Sequence, residues 1–197
     1  GGDDVVVDFG SLALWAWMND DAWLKLNNGS PDRITTADMD GNGEDDVIAD
    51  FASTLGGIFV KYNLGGWTQL TNLASEQMTA CDLDNNGQDD VVIDAGADGL
   101  WARMNDSSWL KLNNASPQQM ALLGDHLYFS ATDGVVGDEL WRSDGTAAGT
   151  RLVRDITPGG TGSTTTRSGR SIQGRSHISA SRRGSPRLPG QPTPKGS

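Results

Sequence analysis

Two nine-residue stretches carry the side chains best suited to chemistry, Asp-Met-Asp-Gly-Asn-Gly-Glu-Asp-Asp at 38–46 and Asp-Leu-Asp-Asn-Asn-Gly-Gln-Asp-Asp at 82–90. Carboxylates held this close repel one another unless a positive charge sits among them. In the first stretch Asp38, Asp40 and Asn42 alternate, so a tight loop can turn all three side-chain oxygens inward. Gly43 supplies the backbone freedom for a sharp turn, Glu44 is placed to offer its carbonyl oxygen, and Asp46 closes the set. The same roles fall on Asp82, Asp84, Asn86, the carbonyl of Gln88, and Asp90, with Gly87 at the turn. Every donor is a hard oxygen and none is His or Cys, a set that selects Ca2+ over zinc or copper. Magnesium takes fewer protein ligands and keeps its waters. Asp, Asn and Gly also make ordinary solvated turns, but the recurrence of the same ligand spacing in the same setting favours the cation.

An EF-hand loop begins alike, yet ends on Glu at its twelfth position and lies between helices. That position is Ala49 in one stretch and Ile93 in the other, and a strand candidate follows at once. Catalysis has nothing to stand on. Neither His126 nor His177, the two histidines, has a plausible nucleophile or carboxylate dyad beside it, and no Ser/His/Asp order or phosphate loop occurs. The expectation is that the chain is not an enzyme. Cys81, the one cysteine, excludes an intrachain disulfide and reads as a small buried thiol.

The 197 residues carry 15 Lys+Arg against 26 Asp+Glu, a net charge of -11. From Arg167 onward stand seven basic residues and no acidic one, so residues 1–166 set eight basic residues against all 26 acidic ones, a net -18. So acidic a body disfavours nucleic acid as a partner and favours cations. No apolar run approaches the roughly 20 residues of a membrane helix.

The elements that position the acidic stretches repeat. Asp4 precedes Asp46 by 42 residues, and Asp46 precedes Asp90 by 44. Ala-Leu-Trp-Ala-Trp-Met-Asn-Asp at 13–20 recurs as Gly-Leu-Trp-Ala-Arg-Met-Asn-Asp at 99–106, two units on. Within a unit the apolar residues alternate or run in short β-branched blocks, giving strand candidates at 3–9, 12–18, 23–26 and 34–37, each bounded by turn residues. No helical spacing persists. Four short strands in a unit of this length predict an all-β chain, a partial β-propeller built of four-stranded blades; a solenoid or sandwich of the same units is the alternative. Repeat-equivalent Trp15/Trp101 and Trp23/Trp109 are expected to pack between adjacent blades, and Trp17, whose counterpart is Arg103, is the surface candidate.

Asp-x-Asp-x-Asn-Gly-x-x-Asp running into an apolar strand and then Phe-Gly resembles the calcium loops of FG-GAP repeats. These are the blades of integrin-type propellers and of many bacterial surface proteins. The resemblance covers residues 1–121, with Phe9-Gly10 intact, Phe51-Ala52 and Ala95-Gly96 decayed, and the Gly-Ala-Pro half absent. It implies calcium ligands at Asp38, Asp40, Asn42, Glu44 and Asp46, and at Asp82, Asp84, Asn86, Gln88 and Asp90; the first loop survives only as Asp4. Residues 138–159, with Glu-Leu-Trp-Arg-Ser-Asp-Gly-Thr, resemble a second bacterial repeat, the Glu-Leu-Trp-x-x-Asp-Gly-Thr type. The expected domains are blades of the first kind over 1–117, the second repeat over 118–160, and a disordered basic tail over 161–197, whose Ser/Thr/Arg/Gly/Pro composition cannot bury a core.

A propeller closes with about four to eight blades, so the chain is expected to belong to a larger protein or to complete itself by assembly. The expected function is a calcium-binding module for adhesion or protein interaction, secreted or at the cell surface, with affinity on the order of 0.1–1 mM. A carbohydrate-binding propeller using exposed tryptophans, and a non-catalytic appendage of a secreted enzyme, are the alternatives.

Overall fold

The structure, a computed structural model, describes residues 4–19, 21–132 and 137–154; the tail expected over 161–197 lies outside them. The described residues are all-β and fall into four antiparallel sheets, each a meander in sequence order. The first holds β1 (Val5–Asp8), β2 (Leu14–Met18) and β3 (Ala22–Asn27). The second holds β4 (Arg33–Ala37), β5 (Asp46–Asp50), β6 (Ile58–Lys61) and β7 (Trp67–Thr71). The third holds β8 (Gln77–Cys81), β9 (Asp90–Asp94), β10 (Leu100–Arg103) and β11 (Trp109–Asn113). The fourth holds β12 (Gln119–Leu123), β13 (His126–Ala131), β14 (Glu139–Ser143) and β15 (Arg151–Arg154). Among the described residues helical structure is confined to 3-10 turns at Gly10–Leu12, Tyr62–Leu64 and Gly96–Asp98. None is long and apolar enough to cross a membrane.

Two details depart from the sequence reading. Leu12, expected in a strand, lies in the first 3-10 turn and is exposed, because Ala13 takes a φ of 90° and breaks the extended run. The sheets are also offset from the sequence repeat: β4 ends one repeat but opens the next sheet, pairing with β5 across the acidic stretch. Each acidic stretch is therefore a connection between two paired strands.

Side chains alternate between two buried faces. Val47 and Ala49 of β5, with Phe51, pack on Leu14, Ala16 and Leu26 of the first sheet. Ile48, Ile58 and Val60 point the other way, onto Val91 and Ile93 of the third. Val92, Leu100 and Ala102 meet Leu127, Phe129 and Ala131 of the fourth. Burial on both faces explains why β5 and β9 read as nearly unbroken apolar runs, and each such side chain adds about 1.5–3 kcal/mol.

Polar groups fasten the stack as well. Trp67 donates its indole N–H to the Leu26 carbonyl, and Trp109 to that of Leu70, both at 3.0 Å and both reaching the last strand of the preceding sheet. Asp50, fully buried at the end of β5, accepts the Ser75 amide (2.7 Å) and hydroxyl (2.6 Å) from the segment that leads into β8. Asp94 repeats the tie to the Ser116 hydroxyl at 3.3 Å and Asp8 to that of Ser30 at 2.8 Å. Arg33 adds a bond to the Ser75 carbonyl.

Trp109 and Trp101 pack between sheets as expected, but Trp23 is 48% exposed. The equivalent Trp67 and Trp109 are each covered by the preceding sheet, and among the described residues none lies against Trp23 in that way.

Candidate metal centre

Each acidic loop joins the first strand of a sheet to the second, β4 to β5 and β8 to β9, and is folded by its own side chains. In the first, Asp38 receives the amide N–H of Asn42 on Oδ1 (3.0 Å) and that of Gly43 on Oδ2 (2.8 Å). The Asn42 N–H also reaches Asp40 Oδ1 (3.2 Å), and Asn42 Oδ1 accepts the Glu44 amide (2.7 Å). The second loop repeats the pattern: Asp82 receives Asn86 (3.0 Å) and Gly87 (2.8 Å), and Asn86 Oδ1 accepts the Gln88 amide (2.7 Å). Gly43 and Gly87 hold φ values of 88° and 93°, which a side chain would strain.

The closing carboxylates are buried. Asp46 accepts Met39 N–H (3.2 Å) and Asn63 N–H (3.0 Å), and Asp90 accepts Leu83 N–H (2.8 Å) and Asn105 N–H (2.9 Å). Asn63 and Asn105 are the components that the sequence reading missed. Both sit just after the third strand of their sheet, at left-handed φ of 44° and 49°. Asn63 Nδ2 donates to Asp40 Oδ2 (2.8 Å) and Asn105 Nδ2 to Asp84 Oδ2 (2.6 Å), while their Oδ1 atoms accept Asn42 and Asn86. The signal was there, since Asn19 and Asn105 occupy matching places in the recurring Met-Asn-Asp. In the first sheet Asn19, at φ 47°, likewise gives its amide to Asp4 Oδ1 at 2.6 Å.

Asp82, Asp84 and Asp90 bring one carboxylate oxygen each to within 4.8 Å of one another. Among the described residues this is the one acidic group so gathered; Asp38, Asp40 and Asp46 share the hydrogen bonds but stand further apart. Burial holds the Asp46 carboxyl above the usual carboxylate range, with Asp40 and Asp38 adding repulsion. Asp90 is raised in the same way, first by burial and then by Asp84 and Asp82. A divalent cation at the centre would reverse both effects, and the oxygen-only donor set suits a hard ion.

The two loops also touch, which no spacing in the sequence announced. The Asp89 amide donates to the Asp38 carbonyl (2.9 Å), and Asp89 Oδ2 accepts the Asp38 amide (3.0 Å). Gln88 lies so close that a Cβ on Gly41 would come within 2.7 Å of its Cγ.

Cys81 borders the second loop. Burial, then Asp90, Asp89 and Asp82, push its thiol up to about 12. At pH 8 the thiolate fraction is about a thousandfold below that of an ordinary cysteine. Iodoacetamide should therefore leave Cys81 unmodified over the time that labels free cysteine completely, and mass spectrometry reads the result.

Comparison with family models, with curated proteins and with solved structures finds no match.

Proposed function

We propose that the chain is a non-catalytic, calcium-binding repeat module of the β-propeller type. Its setting would be a secreted or cell-surface protein, where it supports adhesion or protein interaction. The observation that carries this reading is the duplicated frame of the two loops. Seven hydrogen bonds per loop run from the same donors to the same acceptors, among five carboxylate and amide side chains that include buried Asp46 or Asp90. A turn needs no such repetition at the level of single atoms. Face-to-face stacking of meandering four-stranded sheets supports a blade arrangement, and the loop motif's resemblance to FG-GAP repeats supports calcium. Because the ion binds only the ordered loops, its binding free energy adds to folding.

Calorimetric titration with calcium tests this. We expect heat from two sites per chain with dissociation constants on the order of 0.1–1 mM, and a far weaker response to magnesium. Such affinities fill the sites outside the cytosol and leave them empty within it. An absence of heat, with melting unchanged by chelator, rejects the reading.

A further inference from the structure

The two acidic loops are fastened to each other at two places, and each fastening lies beside a group that frames a candidate ion site. The first tie joins the loops directly. Asp89 gives its amide to the Asp38 carbonyl (2.9 Å) and takes the Asp38 amide on Oδ2 (3.0 Å), while Gln88 donates to the Met39 carbonyl (3.4 Å). Asp38 is the first carboxylate of its loop, and Asp89 stands between Gln88 and the buried Asp90 of the other. Gly41 leaves the space that Gln88 fills. The matching place in the second loop holds Asn85, at a left-handed φ of 57° against 72° for Gly41. The turn itself therefore tolerates a side chain there, and the close approach of Gln88 accounts for the glycine.

The second tie joins the asparagine turns. Tyr62, next to Asn63, donates its hydroxyl to Asp106, next to Asn105, and Arg103 holds Asp106 at 2.9 Å. Each half of the first frame is thus tied to the corresponding half of the second. Charge acts on the same contact. Asp89 is half-buried and repelled by Asp45 and Asp38 of the first loop and by Asp82 of its own. A cation in either loop offsets that repulsion, so each ion tightens a contact on which the other loop depends. Three candidate carboxylates from each loop together with Asp89 outnumber the four charges of two divalent ions, so repulsion between the ions does not set the sign.

We propose that the two loops bind their cations as a coupled pair, with Asp89 as the positioning residue that passes occupancy of the second loop to the first. The inference rests on the calcium reading above and adds the linkage between its sites. The second loop has its carboxylates gathered and fills first. Its ion fixes the segment from Gln88 to Asp90, Asp89 holds the Asp38 backbone, and the first loop then has less ordering left to do when it binds.

Calcium titration of the full chain followed by amide NMR is the test. Gly43 and Gly87, whose N–H groups bond Asp38 and Asp82, report the two loops separately. Asp84→Asn, which weakens the second loop, should raise the calcium needed at Gly43 by about fivefold or more, and linkage requires Asp40→Asn to shift Gly87 by a similar factor. Asp89→Ala removes the acceptor for the Asp38 amide and should move Gly43 as Asp84→Asn does. Asp89→Asn keeps an acceptor oxygen there and should bring Gly43 back. Asp45→Ala is the charge control, since Asp45 holds the matching place in the first loop but bonds Thr36 of its own sheet (3.0 Å), and it should move Gly43 less than Asp89→Ala does. Tyr62→Phe removes the second tie without touching any carboxylate and should also raise the Gly43 midpoint, which keeps the test intact where Asp89→Ala does not fold. A Gly43 midpoint indifferent to Asp84→Asn, or moved as far by Asp45→Ala as by Asp89→Ala, overturns the coupling and leaves the calcium sites standing. Silence of both glycine signals toward calcium removes the calcium reading itself, and the coupling with it.

Discussion

Asp50→Ala should destabilise the protein by about 3–5 kcal/mol. The Asp50 carboxylate is fully buried and accepts three bonds that nothing else can take over, from Ser75 N–H, Ser75 O–H and Ala52 N–H. Two of these cross from the second sheet to the segment opening the third, so truncation leaves buried donors orphaned and loosens the seam. Asp50→Asn keeps the shape but turns an amide donor toward the Ser75 donors, so about half the loss should return. Asp94→Ala should cost less, because its serine bond is longer at 3.3 Å, though Gly96 N–H would also be stranded. Asp8→Ala, at an exposed position, should stay within about 1 kcal/mol. Urea unfolding of the three variants gives the ranking. Equal losses at all three positions would show that the repeated aspartate, not the sheet-to-sheet tie, sets the effect.

The repeat, the strands and the ends of both acidic loops were legible because each leaves a local mark: alternation, β-branching, turn residues and a fixed ligand spacing. Asp46 and Asp90 were legible for the same reason, standing where the motif requires a closing carboxylate. Asn63 and Asn105 were not, since they reach the loop from a hairpin some twenty residues away and only tertiary folding brings them there. Asp89 was passed over as one more acidic neighbour, although its bonds to Asp38 join two loops that the sequence sets 44 residues apart. The offset between sequence repeat and sheet was equally hidden. A repeat can be cut at any phase, and only strand pairing shows that β4 belongs with β5. Trp23 carried the same sequence signal as Trp109, and its exposure depends on which sheet lies beside it, not on its own neighbourhood.

If the loops hold calcium as proposed, its removal is the second large perturbation. At 10 mM calcium, a site with a dissociation constant on the order of 0.1–1 mM stabilises the folded chain by about 1.4–2.7 kcal/mol. Two sites give roughly double that, and for a domain of about 150 residues each kcal/mol moves the melting temperature by about 2–4 °C. Chelation should therefore lower it by about 6–20 °C. Asp84→Asn separates this from a merely structural loop. Asp84 is exposed, and its neutralisation relieves repulsion with Asp82 and Asp90, so melting in chelator should be unchanged or slightly raised. In calcium the same variant should lose about half of the increment or more, because the second loop has the three carboxylates already gathered and fills first. Asp40→Asn in the less gathered first loop should remove the smaller share. Were the loops only hydrogen-bonded turns, each variant would shift melting equally with calcium and with chelator. The difference between those two conditions therefore isolates the ion from the hydrogen bonds that prepare its place.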